Sequence, residues 1–397
     1  MNIVHKLYGS FALRVLKKSF VRDLHKDCKR KIGHALIFFK TDVFFFPHLA
    51  KEYCHSNNWE VLEKVRVLNK LGYWVDVIDR RADVEKLPIE DKYDIFIGLT
   101  GGGSGKNVPI IARKLNKAKK VYYATTAESE TEAINGNKRY DYFYERHPNT
   151  KVKLRRVTDE ETRESYEELM KLSDVIFSIG NKYAIDSYRK KFNKPIYRIY
   201  PSCSPKITTD LKQLTDRSQK KFLYFGSNGN IFKGLDLIIE AFSTMPDLEL
   251  HICAPEKEDD FNRVYGEIIK RSSNIHFHGF VEVGGKIFND VTSQCGYLIF
   301  PSCSEGTPVA IASCMRRGLV PFITFESGVD LEDFGHLIED IHLDALKSQI
   351  RLVSQEPKND FIKRSIKSYL NSFNYTQASF SESFEKAVIK TLKEDVS

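Results

Sequence analysis

The chain has 397 residues, 42% of them apolar and 29% charged, and its 61 Lys and Arg against 53 Asp and Glu give a formal net charge of +8. That length exceeds what one hydrophobic core ordinarily holds, so two domains are expected. No apolar run approaches the roughly 18 residues that a membrane-spanning helix needs. The seven cysteines, at 28, 54, 203, 253, 295, 303 and 314, form no CxxC pair and read as buried reduced thiols, not as a disulfide frame or a zinc site. Basic residues are interleaved with acidic ones and form no stripe or motif, which speaks against nucleic acid as a partner. The basic excess suits anionic small ligands and an anionic membrane surface.

Residues 1–30 read as a basic amphipathic segment. Val4, Leu7, Tyr8, Phe11, Ala12 and Val15 recur at helical spacing, with Lys6, Arg14 and Lys17 on another face. Such a helix either lies in a membrane interface or packs on the domain that follows. Lys17, Lys18 and Arg22 interrupt any apolar core of a secretory signal. A cytoplasmic location is therefore expected, with contact to the inner membrane face if the helix engages lipid.

Residues 31–200 alternate strands and helices. Strands are expected at 34–39, 74–79, 93–99, 121–126, 175–180 and 196–200, and a helix over 59–71 closed by Gly72. This rhythm predicts a parallel sheet covered on both faces. Pro201 to Lys220, rich in Ser, Thr and Asp, reads as a linker. A second α/β unit then runs over 221–357, and helices over 358–397.

Several N-terminal positions lie at expected strand ends. Ser56 and Asn57 stand where a helix cap belongs, with Glu60 near the first turn, and an acceptor contact is an additional role for them. Gly101-Gly102-Gly103-Ser104-Gly105-Lys106-Asn107 resembles a phosphate loop, but Thr100 and Asn107 replace the first Gly and the final Ser or Thr of a Walker A sequence. Gly102 and Gly103 remain candidates for backbone contacts at a cleft. After the fourth strand, Glu128 and Glu130 are the polar candidates. Arg155-Arg156, between helices, could reach toward a phosphate or carboxylate but reads first as a solvated surface pair. His276 and His278 alternate on one strand face without a third ligand at sensible spacing, so they read as structural.

The chemistry concentrates in the C-terminal half. Lys221 to Gly226 is a strand, Ser227-Asn228-Gly229-Asn230 a loop, and Lys233-Gly234 opens a helix bearing Leu235, Ile238, Ile239 and Phe242 on one face. Further on, the strand Tyr297-Leu298-Ile299-Phe300 leads into Pro301-Ser302-Cys303-Ser304-Glu305-Gly306-Thr307-Pro308. A small apolar helix and Gly318-Leu319-Val320-Pro321 follow. Strand ends followed by helix N-termini are where α/β folds bind phosphates. Gly306 allows close backbone approach and Pro308 suits a first helical turn.

With Gly226, Lys233-Gly234, Glu305-Gly306-Thr307-Pro308 and Gly318-Leu319-Val320-Pro321 in this order, residues 220–335 resemble the nucleotide-sugar domain of a GT-B glycosyltransferase of the retaining family 4 (group 1). The resemblance implies an α/β fold of two Rossmann-like domains facing a cleft, with the last helix crossing back to the first domain. It implies metal-independent, hexosyltransferase-like transfer from a nucleotide-diphosphate sugar, without a cofactor, to a glycan or lipid-linked acceptor in surface polysaccharide biosynthesis, such as lipopolysaccharide or capsule. Lys233 would stabilise the leaving diphosphate and Glu305 would hold donor-sugar hydroxyls. Gly226, Ser227, Gly234, Gly306, Thr307, Pro308, Val309 and Ser313 would line the donor site. Two positions depart from the family: Ser227 stands where an Arg is frequent, and Ser313 stands eight residues after Glu305 where a second Glu is usual. These departures keep a second reading open, a non-catalytic GT-B subunit that binds a nucleotide sugar or a partner.

Overall fold

The computed structural model describes residues 19–46, 48, 56–100 and 107–393. Two mainly parallel sheets form the frame. The N-terminal sheet contains β1 (Phe20–Leu24), β2 (Gly33–Phe39), β3 (Tyr73–Asp79), β4 (Ile95–Leu99), β5 (Lys119–Ala124), β6 (Val175–Ser178) and β7 (Ile196–Arg198), in the order β1-β3-β2-β4-β5-β6-β7. The C-terminal sheet contains β8 (Ser218–Phe225), β9 (Glu249–Cys253), β10 (Ile275–Phe277), β11 (Cys295–Phe300), β12 (Val320–Ile323) and β13 (His336–Leu337), in the order β10-β9-β8-β11-β12-β13. Strands buried on both faces need continuous apolar runs. Ala35 to Phe39 and Tyr297 to Phe300 supply them and are at most 3% exposed.

The helices that matter for the site are α1 (Ser56–Lys70), α2 (Asn107–Lys114), α3 (Ser129–Arg146), α4 (Glu160–Leu172), α5 (Lys182–Arg189), α6 (Leu235–Phe242), α7 (Asp259–Arg271), α8 (Lys286–Gln294), α9 (Val309–Arg316), α10 (Leu343–Ser354), α11 (Lys358–Asn371) and α12 (Gln377–Lys393). Each sheet centres its own apolar core. Phe380, Phe384, Ala387 and Val388 of α12 belong to the core of the N-terminal sheet, where Phe380 meets Trp59 edge to face at 5.8 Å.

Two boundaries shift from the sequence reading. The N-terminal sheet begins before residue 31, because β1 pairs antiparallel with β3. A bulge interrupts that pairing between Val21 and Leu24, where Asp23 takes a positive φ of 55° and its N–H donates to Asp76 Oδ1 at 2.7 Å. The expected amphipathic stretch from Val4 to Val15 lies outside the described residues. The linker is also shorter than 201–220: β8 starts at Ser218, and a helical turn occupies Gln213–Asp216. Ser218 to Lys221 are polar because this end of β8 is only partly buried.

Candidate active site

The carboxyl ends of both sheets converge on one polar cluster. Gly234 caps α6 in the left-handed conformation, at φ 76°, and a Cβ there would come within 2.6 Å of the Pro301 carbonyl oxygen. That close approach sets Lys233 against the loop after β11. The Lys233 ammonium pairs with Glu305 Oε1, to which Ser302 Oγ also donates at 3.3 Å. On the other carboxylate oxygen, Arg156 Nη2 lies 3.0 Å from Glu305 Oε2. Lys233 and Glu305 are buried, whereas the Arg156 side chain is 31% exposed.

The charges shift one another. Burial first, and the Arg156 guanidinium second, lower the Lys233 ammonium to about 8 against the pull of Glu305. Burial alone would raise the Glu305 carboxyl, but Arg156 and Lys233 together hold it below its usual value. A carboxylate with two cations is therefore ionised in this cluster.

Arg156 corrects the sequence reading, since it is not part of a solvated pair. It sits in the segment between α3 and α4 at a positive φ of 65°, stacked 5.3 Å from the Phe232 ring. Its neighbour Arg155 faces away and binds Asp260 through both terminal nitrogens, at 2.8 and 2.6 Å. Ser227 is exposed on the loop after β8, so the guanidinium beside Lys233 comes from the other half of the chain.

Helix α3 carries the contacts from the N-terminal side. Glu128 accepts from the N–H groups of Glu130 and Thr131, which makes it the helix cap, and it also pairs with Lys191 at 3.2 Å. Its carboxylate is thus engaged locally. One turn further, Glu132 is buried beside Arg156; Thr158 Oγ1 donates to its Oε1 at 2.9 Å, and Oε2 has no hydrogen-bond partner among the described residues. Burial raises this carboxyl despite Arg156. Asn135 donates to the Cys303 carbonyl at 2.9 Å, and Arg139 to the Pro301 carbonyl at 2.8 Å. The sequence reading missed Glu132, although polar residues at 128, 132, 135 and 139 recur at helical spacing on one face.

The remaining candidates have clear places. A Cβ on Gly306 would come within 2.3 Å of the Thr125 carbonyl oxygen, so the two halves approach backbone to backbone at this point. Thr307 donates to the Gly328 carbonyl at 2.7 Å. Pro308 is the N-cap of α9 and Val309 its first residue. The first N–H groups of a helix have no partner within it, so this end offers donors a few residues after Glu305. Gly226 directly follows β8, and its N–H donates to the Cys253 carbonyl at 3.0 Å. Glu258 accepts from the N–H groups of Gly229 and Asn230 and fixes the loop after β8. Ser313 is fully buried in α9 with an unpartnered Oγ among the described residues, so it is not on the cleft surface. Ser56 opens α1 and is buried, and Asn57 follows it in the same helix. The adjacent Glu60 turns to the interdomain segment instead of the helix end, accepting from Ser202 N–H at 3.0 Å. Gly102 and Gly103 lie outside the described residues. Burial pushes the Cys303 thiol up to about 12, which removes it as a nucleophile.

Comparison with known proteins places this geometry. Residues 219–355 match the family model described as Glycosyl transferases group 1. The fold is GT-B. The resemblance read from Lys233-Gly234 and Glu305-Gly306-Thr307-Pro308 is borne out. Sucrose-phosphate synthase from Thermosynechococcus elongatus superposes with a TM-score of 0.62 at 11% identity, covering 90% of this chain and 98% of that one. WaaG, a glycosyltransferase involved in lipopolysaccharide biosynthesis, gives a TM-score of 0.52 at 13% identity over 89% and 98% of the two chains. TarM of S. aureus, solved with UDP and alpha-GlcNAc-glycerol, gives a TM-score of 0.51 at 12% identity over 75% of this chain and 55% of TarM. The GT-B chain thus spans about half the length of TarM. No curated protein matches it in sequence.

Proposed function

We propose that the protein is a retaining glycosyltransferase that moves a sugar, a hexose in the first instance, from a nucleotide-diphosphate sugar to a glycan or lipid-linked acceptor. The observation that carries this reading is the pairing of Lys233 and Arg156 on the Glu305 carboxylate at the carboxyl ends of two facing sheets. A donor diphosphate competes with Glu305 for the two cations. As it binds, Lys233 and Arg156 turn to the phosphates and Glu305 is freed for hydroxyls of the sugar.

Positive groups aimed where negative charge develops lower the barrier for leaving-group departure. Lys233 and Arg156 fill that role here, with the N-terminus of α9 beside them. No protein nucleophile is required in this scheme, because the departing diphosphate guides attack from the same face of the sugar. No divalent cation is required either, since two cationic side chains neutralise the phosphates. Surface polysaccharide assembly, at the inner face of the membrane, is the setting that the likeness to WaaG and the basic N-terminal segment support.

The test is turnover by the purified full chain on a panel of nucleotide-diphosphate sugars, with and without glycan acceptors, beside a thermal-shift screen of the same donors. A bound donor raises the melting temperature by mass action. Donor-dependent stabilisation together with nucleotide release supports the transferase. Stabilisation without release across the acceptor panel supports the binding-subunit reading, which the serines at 227 and 313 favour. No stabilisation by any donor overturns both.

A further inference from the structure

Away from the cleft, three imidazoles and a carboxylate meet on one face of the C-terminal sheet. Strands β9 and β10 pair in parallel with His276 opposite His251. Glu249 precedes His251 by two residues and so points to the same face. Glu249 Oε2 lies 3.7 Å from His251 Nε2 and 3.9 Å from His276 Nε2, and one ligand atom from each residue falls within 4.8 Å of the other two. We propose that Glu249, His251 and His276 bind one divalent transition-metal ion of the zinc class.

The second observation is the state of His251. It is 7% exposed, and its Nε2 is buried without a hydrogen-bond partner among the described residues. Its other nitrogen, Nδ1, lies 3.0 Å from His278 Nε2. With the proton of that hydrogen bond on His251 Nδ1, the Nε2 lone pair is bare and directed toward Glu249 and His276. A ligating histidine ordinarily has its second nitrogen fixed in this way by an outer partner. His278 is that partner.

The donor set selects the ion. Two neutral imidazoles and one carboxylate suit zinc, whereas magnesium and calcium prefer all-oxygen shells. At bond lengths of about 2.0–2.1 Å a tetrahedral ion holds its ligands roughly 3.4 Å apart. The two Glu249–histidine distances, 3.7 and 3.9 Å, need to tighten by only a few tenths of an ångström, and the two ligating imidazoles, within 4.8 Å of each other, by at most about 1.4 Å. Lys221 Nζ, 2.8 Å from Glu249 Oε2, now occupies the carboxylate and is displaced or shared on metal binding. The His276 side chain, 41% exposed, leaves a path for the ion and a fourth position for water. Glu249 begins β9, at the amino end of the strands, opposite the end that carries Lys233 and Glu305. The ion would therefore tie the three-residue edge strand β10 to β9 and take no part in sugar transfer.

The experiment is calorimetric titration of zinc into the chelator-stripped full chain, paired with the visible spectrum of the cobalt-loaded protein. One equivalent of tight binding and the intense bands of a tetrahedral cobalt site are expected. Glu249 and His276 are both partly exposed, so the double variant Glu249→Gln/His276→Ala keeps its thermal melt in the absence of metal while losing the site. His278→Ala should weaken binding by about 10- to 100-fold as an outer partner. His342→Ala, at the exposed Asp340–His342 pair, should change nothing. Equal zinc uptake by the wild type and the double variant, or no uptake by the wild type, overturns the proposal.

Discussion

Arg156 reaches Glu305 across 149 positions of sequence, and its guanidinium stands beside Lys233 where the loop after β8 offers only Ser227. The second cation of the cluster is thus delivered by the segment between α3 and α4. This makes the charged cluster a property of both halves of the chain.

If the two cations share the leaving diphosphate, each matters separately. Lys233→Ala should lower turnover by about 100-fold or more, as for the loss of an oxyanion-type contact. Arg156→Ala should lower it by about 10-fold or more, because this side chain is partly solvated and its charge is more strongly screened. Single-turnover rates on folded variants check both. An unchanged rate for Arg156→Ala would show that the guanidinium serves only to hold Glu305.

Glu305→Gln separates sugar from nucleotide. The substitution keeps the shape but removes the charge that now occupies Lys233 and Arg156. Transfer should fall while affinity for the free nucleoside diphosphate is kept or improved, since the competing carboxylate is gone. Calorimetry with the nucleotide is the measurement, and a collapse of nucleotide affinity would sink the assignment to the sugar.

The pH profile follows from Lys233, whose ammonium is lowered from 10.5 to about 8 by burial and then by Arg156. In the free enzyme kcat/KM should decline as pH rises through about 8, where the cation is lost. Stability responds with the opposite sign. The unfolded chain keeps this proton up to about 10.5, so between about 8 and 10.5 the unfolded state binds more protons and the contribution of this group to stability rises with pH. Replacing Arg156 by Gln removes one cause of the lowering and should move the kinetic limb upward. A limb that stays in place in Arg156→Gln would assign it to another group.

Chelation distinguishes the two ends of the C-terminal sheet. EDTA should leave the rate of transfer intact, because charge neutralisation in the cleft is assigned to Lys233 and Arg156. It should lower the melting temperature of zinc-loaded protein through the Glu249, His251 and His276 cluster. Complete loss of activity, restored by magnesium or manganese, would place a required ion in the cleft.

Membrane contact is testable with a better boundary than the sequence alone suggested. Because Phe20–Leu24 is a strand of the N-terminal sheet, the deletion should remove residues 1–18 and stop there. Flotation with anionic liposomes is expected for the full chain at low salt. It should weaken in the deletion and at raised ionic strength, as for one basic amphipathic segment. Absence of flotation by the full chain would return this segment to a role in packing.

The strands were legible where burial forces apolar runs. Leu36 to Phe39, Ile95 to Ile97 and Leu298 to Phe300 announce themselves in this way. Two edge strands did not: Phe20–Leu24 includes an Arg and an Asp, and His336–Leu337 has only two residues, because an edge has one neighbour and partial burial. Lys233 and Glu305 were legible because backbone demands at Gly234 and Gly306 mark them. Arg156 and Glu132 carry no local mark, since their partners are fixed by tertiary packing alone. The same holds for His276, whose nearest ligand neighbours, Glu249 and His251, lie on an adjacent strand. A linear spacing rule does not see across a ladder.

The burial of Phe380 and Phe384 in the core of the N-terminal sheet has a consequence for how the protein is made. During synthesis the first domain leaves the ribosome before its own core is closed, and the helix that closes it emerges only after the whole of the second domain. The second domain, whose core takes Tyr375 just after α11 but nothing from α12, can finish first. The nascent first domain meanwhile exposes the groove between Trp59, Phe177 and Lys64 that α12 later fills. A chaperone that shields apolar grooves has its longest opportunity there, and truncation ahead of Gln377 would leave that groove open in the finished chain.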